Sequence, residues 1–172
     1  MKNLLHTKQG FTLIEMIIYI SVLTVILVLI VSFIISFGRA YNVLRTTIRI
    51  NNSAIVSFER VIREIRQAND VDTAASTLGT HPGRLVLTTT DASSAPITLE
   101  FYINGGELML RQDSVDVGSL TRSDVTVTNL VFRLSDNGTS KAVKIEMTLE
   151  SIVASTTKIK NFYGSAVLRG SY

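Results

Sequence analysis

Lys8-Gln9-Gly10-Phe11-Thr12-Leu13-Ile14-Glu15 leads into a run of 23 residues, Met16 to Gly38, that carries no charge. Most of that run is Ile, Val, Leu or Phe. At the rise of an α-helix it is about 35 Å long. That length crosses a hydrocarbon core about 30 Å thick with some tilt. Glu15 is then a lone acid at the margin of an apolar rod. A carboxylate at the centre of a span costs about 3 kcal/mol, so such a group persists where water or a partner meets it. Either Glu15 lies at headgroup depth and is solvated, or a cation pairs with it. Span depth alone leaves both open.

Gly10-Phe11-Thr12-Leu13-Ile14-Glu15, with Lys8 just upstream and the apolar helix behind, resembles the class III signal of type IV pilins and type II secretion pseudopilins. The resemblance implies that a prepilin peptidase cuts between Gly10 and Phe11 on the cytoplasmic side and that Phe11 is then N-methylated. Cleavage would expose a positive α-amine on Phe11, four residues before Glu15. Within one helix that amine and the positive helix start both favour the carboxylate. Between chains, Glu15 of one subunit would meet the Phe11 amine of its neighbour and set the axial register. In this context the assembly role is favoured over mere solvation.

Two other readings of the N-terminus compete. A removed secretory signal peptide has an apolar core of about 7–15 residues followed by small residues. Here the run is longer and ends at Arg39-Ala40-Tyr41. An uncleaved signal anchor fits the length equally well. Charge does not orient it, because Lys2 and Lys8 flank one side while Arg39, Arg45 and Arg49 flank the other. The family resemblance, not charge, places the leader in the cytoplasm and the remainder across a single-pass inner membrane, and later in a pilus or pseudopilus.

The 172 residues contain no cysteine, which leaves no disulfide and no thiolate chemistry. The formal charge of +3 is unevenly spread. Residues 39–66 carry six arginines and two glutamates, whereas residues 67–172 carry nine basic and eleven acidic side chains. The basic character belongs to the segment beyond the apolar run, where arginines suit anionic headgroups or acidic neighbours, or simply a solvated helix face. The net −2 of the remainder gives no charge argument for binding nucleic acid.

Past Arg39, apolar side chains recur at Tyr41, Leu44, Ile48, Ile55, Phe58, Ile62 and Ile65. With Asn51 filling the gap, that spacing predicts an amphipathic helix whose seam faces a core. Glu59 with Arg63 and Arg60 with Glu64 are i,i+4 pairs. No proline precedes Pro82, so one helix is expected from Phe11 to Ala68, about 87 Å long. Asn51-Asn52 is its weakest point.

Residues 69–83, rich in small and polar side chains and closing on His81-Pro82-Gly83, read as a connecting loop, with His81 a surface residue. From Arg84 the period becomes two. Leu85 and Leu87 alternate with Val86 and Thr88, and Ile97, Leu99, Phe101 and Ile103 alternate with Thr98, Glu100 and Tyr102. Asn104-Gly105-Gly106 predicts a tight hairpin. A looser stretch follows through Asp113 and Gly118. Leu130, Phe132 and Leu134 fall out of phase with Val125 and Val127, which predicts a bulge at Thr128-Asn129. After the turn Asp136-Asn137-Gly138, the residues Val143, Ile145, Met147 and Leu149 form a one-faced strand. A last strand is expected within Lys158–Arg169.

The fold expected is therefore α+β: a long N-terminal helix, transmembrane in its first half, packed through its second on an antiparallel β-sheet head. Its divisions are a cleaved cytoplasmic leader at 1–10, a membrane-spanning or filament-core half-helix at 11–38, an amphipathic half at 39–68, a loop at 69–83 and the head at 84–172. The run Leu120 to Phe132, followed by a turn and a strand, resembles the heads of J-type minor pseudopilins of type II secretion and of related competence pseudopilins.

These features point to a structural subunit of a pilus-like filament. The partners implied are other pilin-like subunits, the prepilin peptidase and methyltransferase, and the membrane. Many main pilins carry a proline midway along the apolar segment; its absence here leans towards a minor or initiating subunit. An enzyme is disfavoured: the chain offers no cysteine, a single histidine outside the leader, no phosphate-binding glycine loop and no paired carboxylates. No cofactor, metal or small-molecule substrate is expected; Asp113, Asp116 and Asp124 match no calcium-loop spacing and read as turn and surface residues. A filament-tip module for adhesion or DNA uptake is the alternative.

Overall fold

The computed structural model describes residues 10–153 and 156–169. Of the expected leader at residues 1–10, residues 1–9, with Lys2 and Lys8, lie outside the described residues. Helix α1 runs from Leu13 to Gln67. The chain parts into two units within it, after Tyr41.

In the first unit the apolar residues are exposed throughout, Leu13 at 79% and Phe33 at 71% among them. The segment is long and apolar enough to cross a membrane. Ser21 and Thr24 donate their hydroxyl protons to the carbonyls of Ile17 and Ile20, both at 2.8 Å. Polar groups so satisfied within one helix suit an apolar surrounding.

In the second unit, the antiparallel strands fall into two sheets. The first has the order β1 (Asp70–Val71), β2 (Leu85–Thr90), β3 (Pro96–Asn104), β4 (Glu107–Gln112) and β5 (Val115–Ser119). The second has β6 (Thr126–Asp136), β7 (Lys141–Val153) and β8 (Thr156–Val167) in that order. Asn104 pairs with Glu107 across Gly105 and Gly106, whose φ angles of 59° and 81° make the two-residue turn that glycine allows. The predicted bulge occurs where stated: the β6–β7 register slips between Val127 and Asn129. Strand β1 and a bridge between Thr77 and Arg84 lie within the stretch read as a loop.

One core joins both sheets to the helix. Leu87, Phe101 and Leu110 from the first sheet meet Phe132, Ile145 and Leu149 from the second, together with Ile50, Ala54, Val61 and Ile65 of α1. The helix face that supplies them agrees with the expected seam in its last turns, where Ile65 is buried and Phe58 and Ile62 pack against the core, and departs from it before them. Leu44, Ile48 and Ile55 are 62%, 57% and 54% exposed, and Tyr41 is exposed as well. The fully buried residues are Thr46, Ile50, Ser53, Ala54, Ser57, Val61, Glu64 and Ile65, a stripe with proper helical spacing that shares Ile65 with the expected seam. The physical reason is clearance. Ser53, Ala54 and Ser57 leave room for the Leu120–Arg122 segment between β5 and β6 to reach the helix, and the serine hydroxyls find partners there. Ser53 Oγ accepts the Arg122 N–H at 3.1 Å. Ser57 Oγ lies 2.7 Å from the Ser53 carbonyl and 2.9 Å from that of Leu120, and its one proton serves one at a time. Asn51 and Asn52 stay helical, and Asn51 accepts from Lys160 Nζ at 3.1 Å.

Close approach recurs at two glycines. A Cβ on Gly164 in β8 would stand 2.7 Å from the ring of Phe58. A Cβ on Gly83 would stand 2.8 Å from the carbonyl oxygen of Leu130, to which the Gly83 N–H donates at 2.9 Å. His81 is exposed as expected, yet its Nδ1 accepts the Leu130 N–H at 3.0 Å, so it helps tie this segment to β6.

The three aspartates considered for calcium are engaged by protein groups. Asp113 accepts from the Thr98 N–H at 2.8 Å. Asp116 takes Arg111 Nε and the Tyr102 hydroxyl, each at 2.7 Å. Asp124 lies 3.0 Å from Arg122 Nε and 3.1 Å from Arg49 Nη1 on α1. Arg122 first, then Arg49, holds the Asp124 carboxyl below the usual carboxylate range.

Two outcomes follow from this packing. Gly83→Ala should destabilise the fold by about 1–3 kcal/mol, since the obstacle is backbone; thermal unfolding of the full chain in detergent measures it. A carboxyl depressed in the folded state stabilises above its unfolded pKa and loses that contribution as pH falls through the folded one. Asp124→Asn should therefore lower neutral-pH stability by about 1 kcal/mol at most, given its partial exposure, and flatten the fall of unfolding temperature below about pH 4.

Candidate functional site

The residues singled out in the sequence sit together at the start of α1. Gly10, Phe11 and Thr12 precede the helix and belong to no regular element. Phe11 is 71% exposed. The Gly10–Phe11 peptide bond is thus outside the helical hydrogen-bond ladder, which a hydrolase needs in order to engage it as extended chain. A Cβ on Gly10 would meet nothing within 4 Å. Among the described residues, packing alone does not require glycine there.

Thr12 begins the helix. Its carbonyl accepts the Met16 N–H at 3.2 Å, and its Oγ1 accepts the Glu15 N–H at 3.3 Å. Thr12 is therefore the N-cap and Glu15 the third helical residue, the arrangement Thr-x-x-Glu of a capping box. The sequence reading passed over this, although the spacing was there to see. The cap satisfies one of the donors that a helix start leaves open. An acid in the first turn also faces the positive end of the helix dipole.

The Glu15 side chain is half-buried and turned forward along the helix. Its Oε1 accepts the Tyr19 hydroxyl proton at 2.9 Å. The Tyr19 ring stands edge-on to Phe11, with centroids 6.1 Å apart and planes at 78°. Among the described residues Glu15 has no ion pair. Gly10, Phe11 and Glu15 are thus close in the structure, and Thr12 and Tyr19 are the two neighbours that position them.

A family model described as the prokaryotic N-terminal methylation motif matches residues 5–31. The chain carries a prepilin-type N-terminal motif. No curated protein and no solved structure matches the chain. The motif supports a type IV pilin-like protein, and it points to a structural subunit rather than an enzyme. It implies assembly with other pilin subunits and processing by a prepilin peptidase in general. With the long apolar helix, it fits a single-pass inner-membrane protein.

The head presents one groove with cationic walls, lined by Arg66, Ser165 and Arg169 beside Ala142, Ala166 and Val167. Among its described lining residues no carboxylate or histidine stands beside Ser165 as a base.

Thr12→Ala should remove the cap and cost the first turn about 1 kcal/mol. Amide exchange of the micelle-bound chain should then speed up at Glu15 while exchange in the head stays as it was.

Proposed function

We propose that this chain is a pilin-like filament subunit, cut between Gly10 and Phe11 by a prepilin peptidase and N-methylated on Phe11. The observation that carries the reading is the methylation motif at residues 5–31, joined to a scissile bond that lies free of the helix.

Cleavage leaves a cationic α-amine on Phe11. Glu15, without an ion pair among the described residues, is the acid that takes the amine of the adjacent subunit and sets the axial step between helices. In a low-dielectric layer an unmatched carboxylate is penalised, so the pair selects the correct docking depth. The apolar half of α1 forms the filament core and the head forms its surface. The apolar segment has no proline, which supports a minor or initiating subunit, of the secretion pseudopilin or competence type, over a bulk subunit with a locally melted helix. The leader is on the cytoplasmic side and the head beyond the membrane.

Mass spectrometry of the chain recovered from cells that express a prepilin peptidase is the direct test. The expected product begins at Phe11 and carries one added methyl group. A chain that retains residues 1–10 in such cells, or is cut at another bond, refutes the proposal.

A further inference from the structure

We propose that Tyr19 is the positioning residue of this N-terminal site: its hydroxyl holds the Glu15 carboxylate on the helix while its ring seats Phe11. A single chain then carries its acid into the apolar layer with a donor already in place, before any neighbour arrives. The inference rests on the reading of Glu15 as the assembly acid and adds the group that keeps this acid ready.

Glu15 and Tyr19 stand four apart on the helix and so are neighbours on its surface, while Phe11 precedes the helix and meets the same tyrosine through its ring. The Tyr19 hydroxyl donates to Glu15 Oε1 at 2.9 Å, and its ring meets Phe11 edge-on at 6.1 Å. The third observation concerns where the carboxylate does not go. In a full capping box the glutamate reaches back to the N–H of the cap residue. Here the Thr12 hydroxyl makes its half of the box, but the Glu15 carboxylate points the other way, to Tyr19.

A carboxylate stripped of water needs donors. A phenol supplies one without adding charge, in the stronger class of hydrogen bond that an ionised acceptor makes. A carboxylate has about four acceptor positions, so one phenol leaves room for an ammonium group. The clasp therefore offsets part of the cost of carrying the acid in lipid and still presents it to a neighbour's amine. Phenylalanine would fill the same space against Phe11 but could not do this.

The test is incorporation. An epitope-tagged full chain is expressed beside the untagged wild type in cells that build filaments from it, and tagged copies in filaments are counted per tagged copy in the membrane. Tyr19→Phe keeps the ring and loses the donor; it should be cut after Gly10 as the wild type is, yet enter filaments about fivefold less. Glu15→Gln should be depleted further, and adding Tyr19→Phe to it should change nothing more. Normalising to membrane copies separates poor folding from poor docking. Wild-type incorporation of Tyr19→Phe would overturn the inference, and so would an equal loss with Glu15→Gln already present, which would make Tyr19 a packing residue. Normal incorporation of Glu15→Gln would overturn the reading of Glu15 and this inference together.

Discussion

The head is built on the thinness of one helix face. Where α1 meets the sheets, its central positions are Ser53, Ala54 and Ser57, with Ile50 before them and Val61 and Ile65 after. The small residues admit the Leu120–Arg122 segment, and the larger ones at either side join the interior made by Phe101, Phe132 and their neighbours. Each fully buried aliphatic side chain is worth about 1.5–3 kcal/mol, so the gain comes from the flanks while the middle makes room. The hydroxyls also solve a polar problem. The segment Leu120–Arg122 arrives with a carbonyl and an amide to satisfy, and Ser57 and Ser53 meet them. Asp124 and Arg49 extend the same junction outward with an ion pair.

Much of this was legible in the chain, and the misses share a cause. Turns with glycine, the bulge beside Asn129 and the alternation of Val143 to Leu149 follow from local chemistry, so local reasoning finds them. The α+β plan follows from the change of period after residue 83. The first part of the helix face was misjudged because size was taken as the mark of burial: Leu44, Ile48 and Ile55 are larger than Ser53 and Ser57, yet they stay exposed, whereas Phe58, Ile62 and Ile65 do meet the core. Strand β5 was missed for another reason. Its turn uses Asp113 and Ser114 at φ 47° and 71° in place of glycine, and Val115 and Val117 remain exposed, so neither turn chemistry nor burial announced it.

At the N-terminus the balance reverses. There the motif was readable residue by residue, while the geometry around it was not. Gly10, Phe11 and Glu15 were visible as a pattern; that Thr12 caps the helix and that Tyr19 reaches both Phe11 and Glu15 emerges only with coordinates. The two halves of the molecule answer to different solvents. The head satisfies its polar groups across long sequence separations, as between Ser57 and Leu120, whereas the start of the helix satisfies its own within four residues. A segment destined for lipid has little else to bond with.

The contact between Phe58 and Gly164 has a bearing on how such a head can drift. The aromatic ring occupies the volume that any β-carbon at position 164 would claim, and Phe162 flanks it at 6.4 Å. Neither position is therefore free to vary by itself: a side chain gained on the strand has to be matched by atoms lost from the helix. Descendants of this chain should show the two sites trading volume, so that their sum is kept more faithfully than either residue.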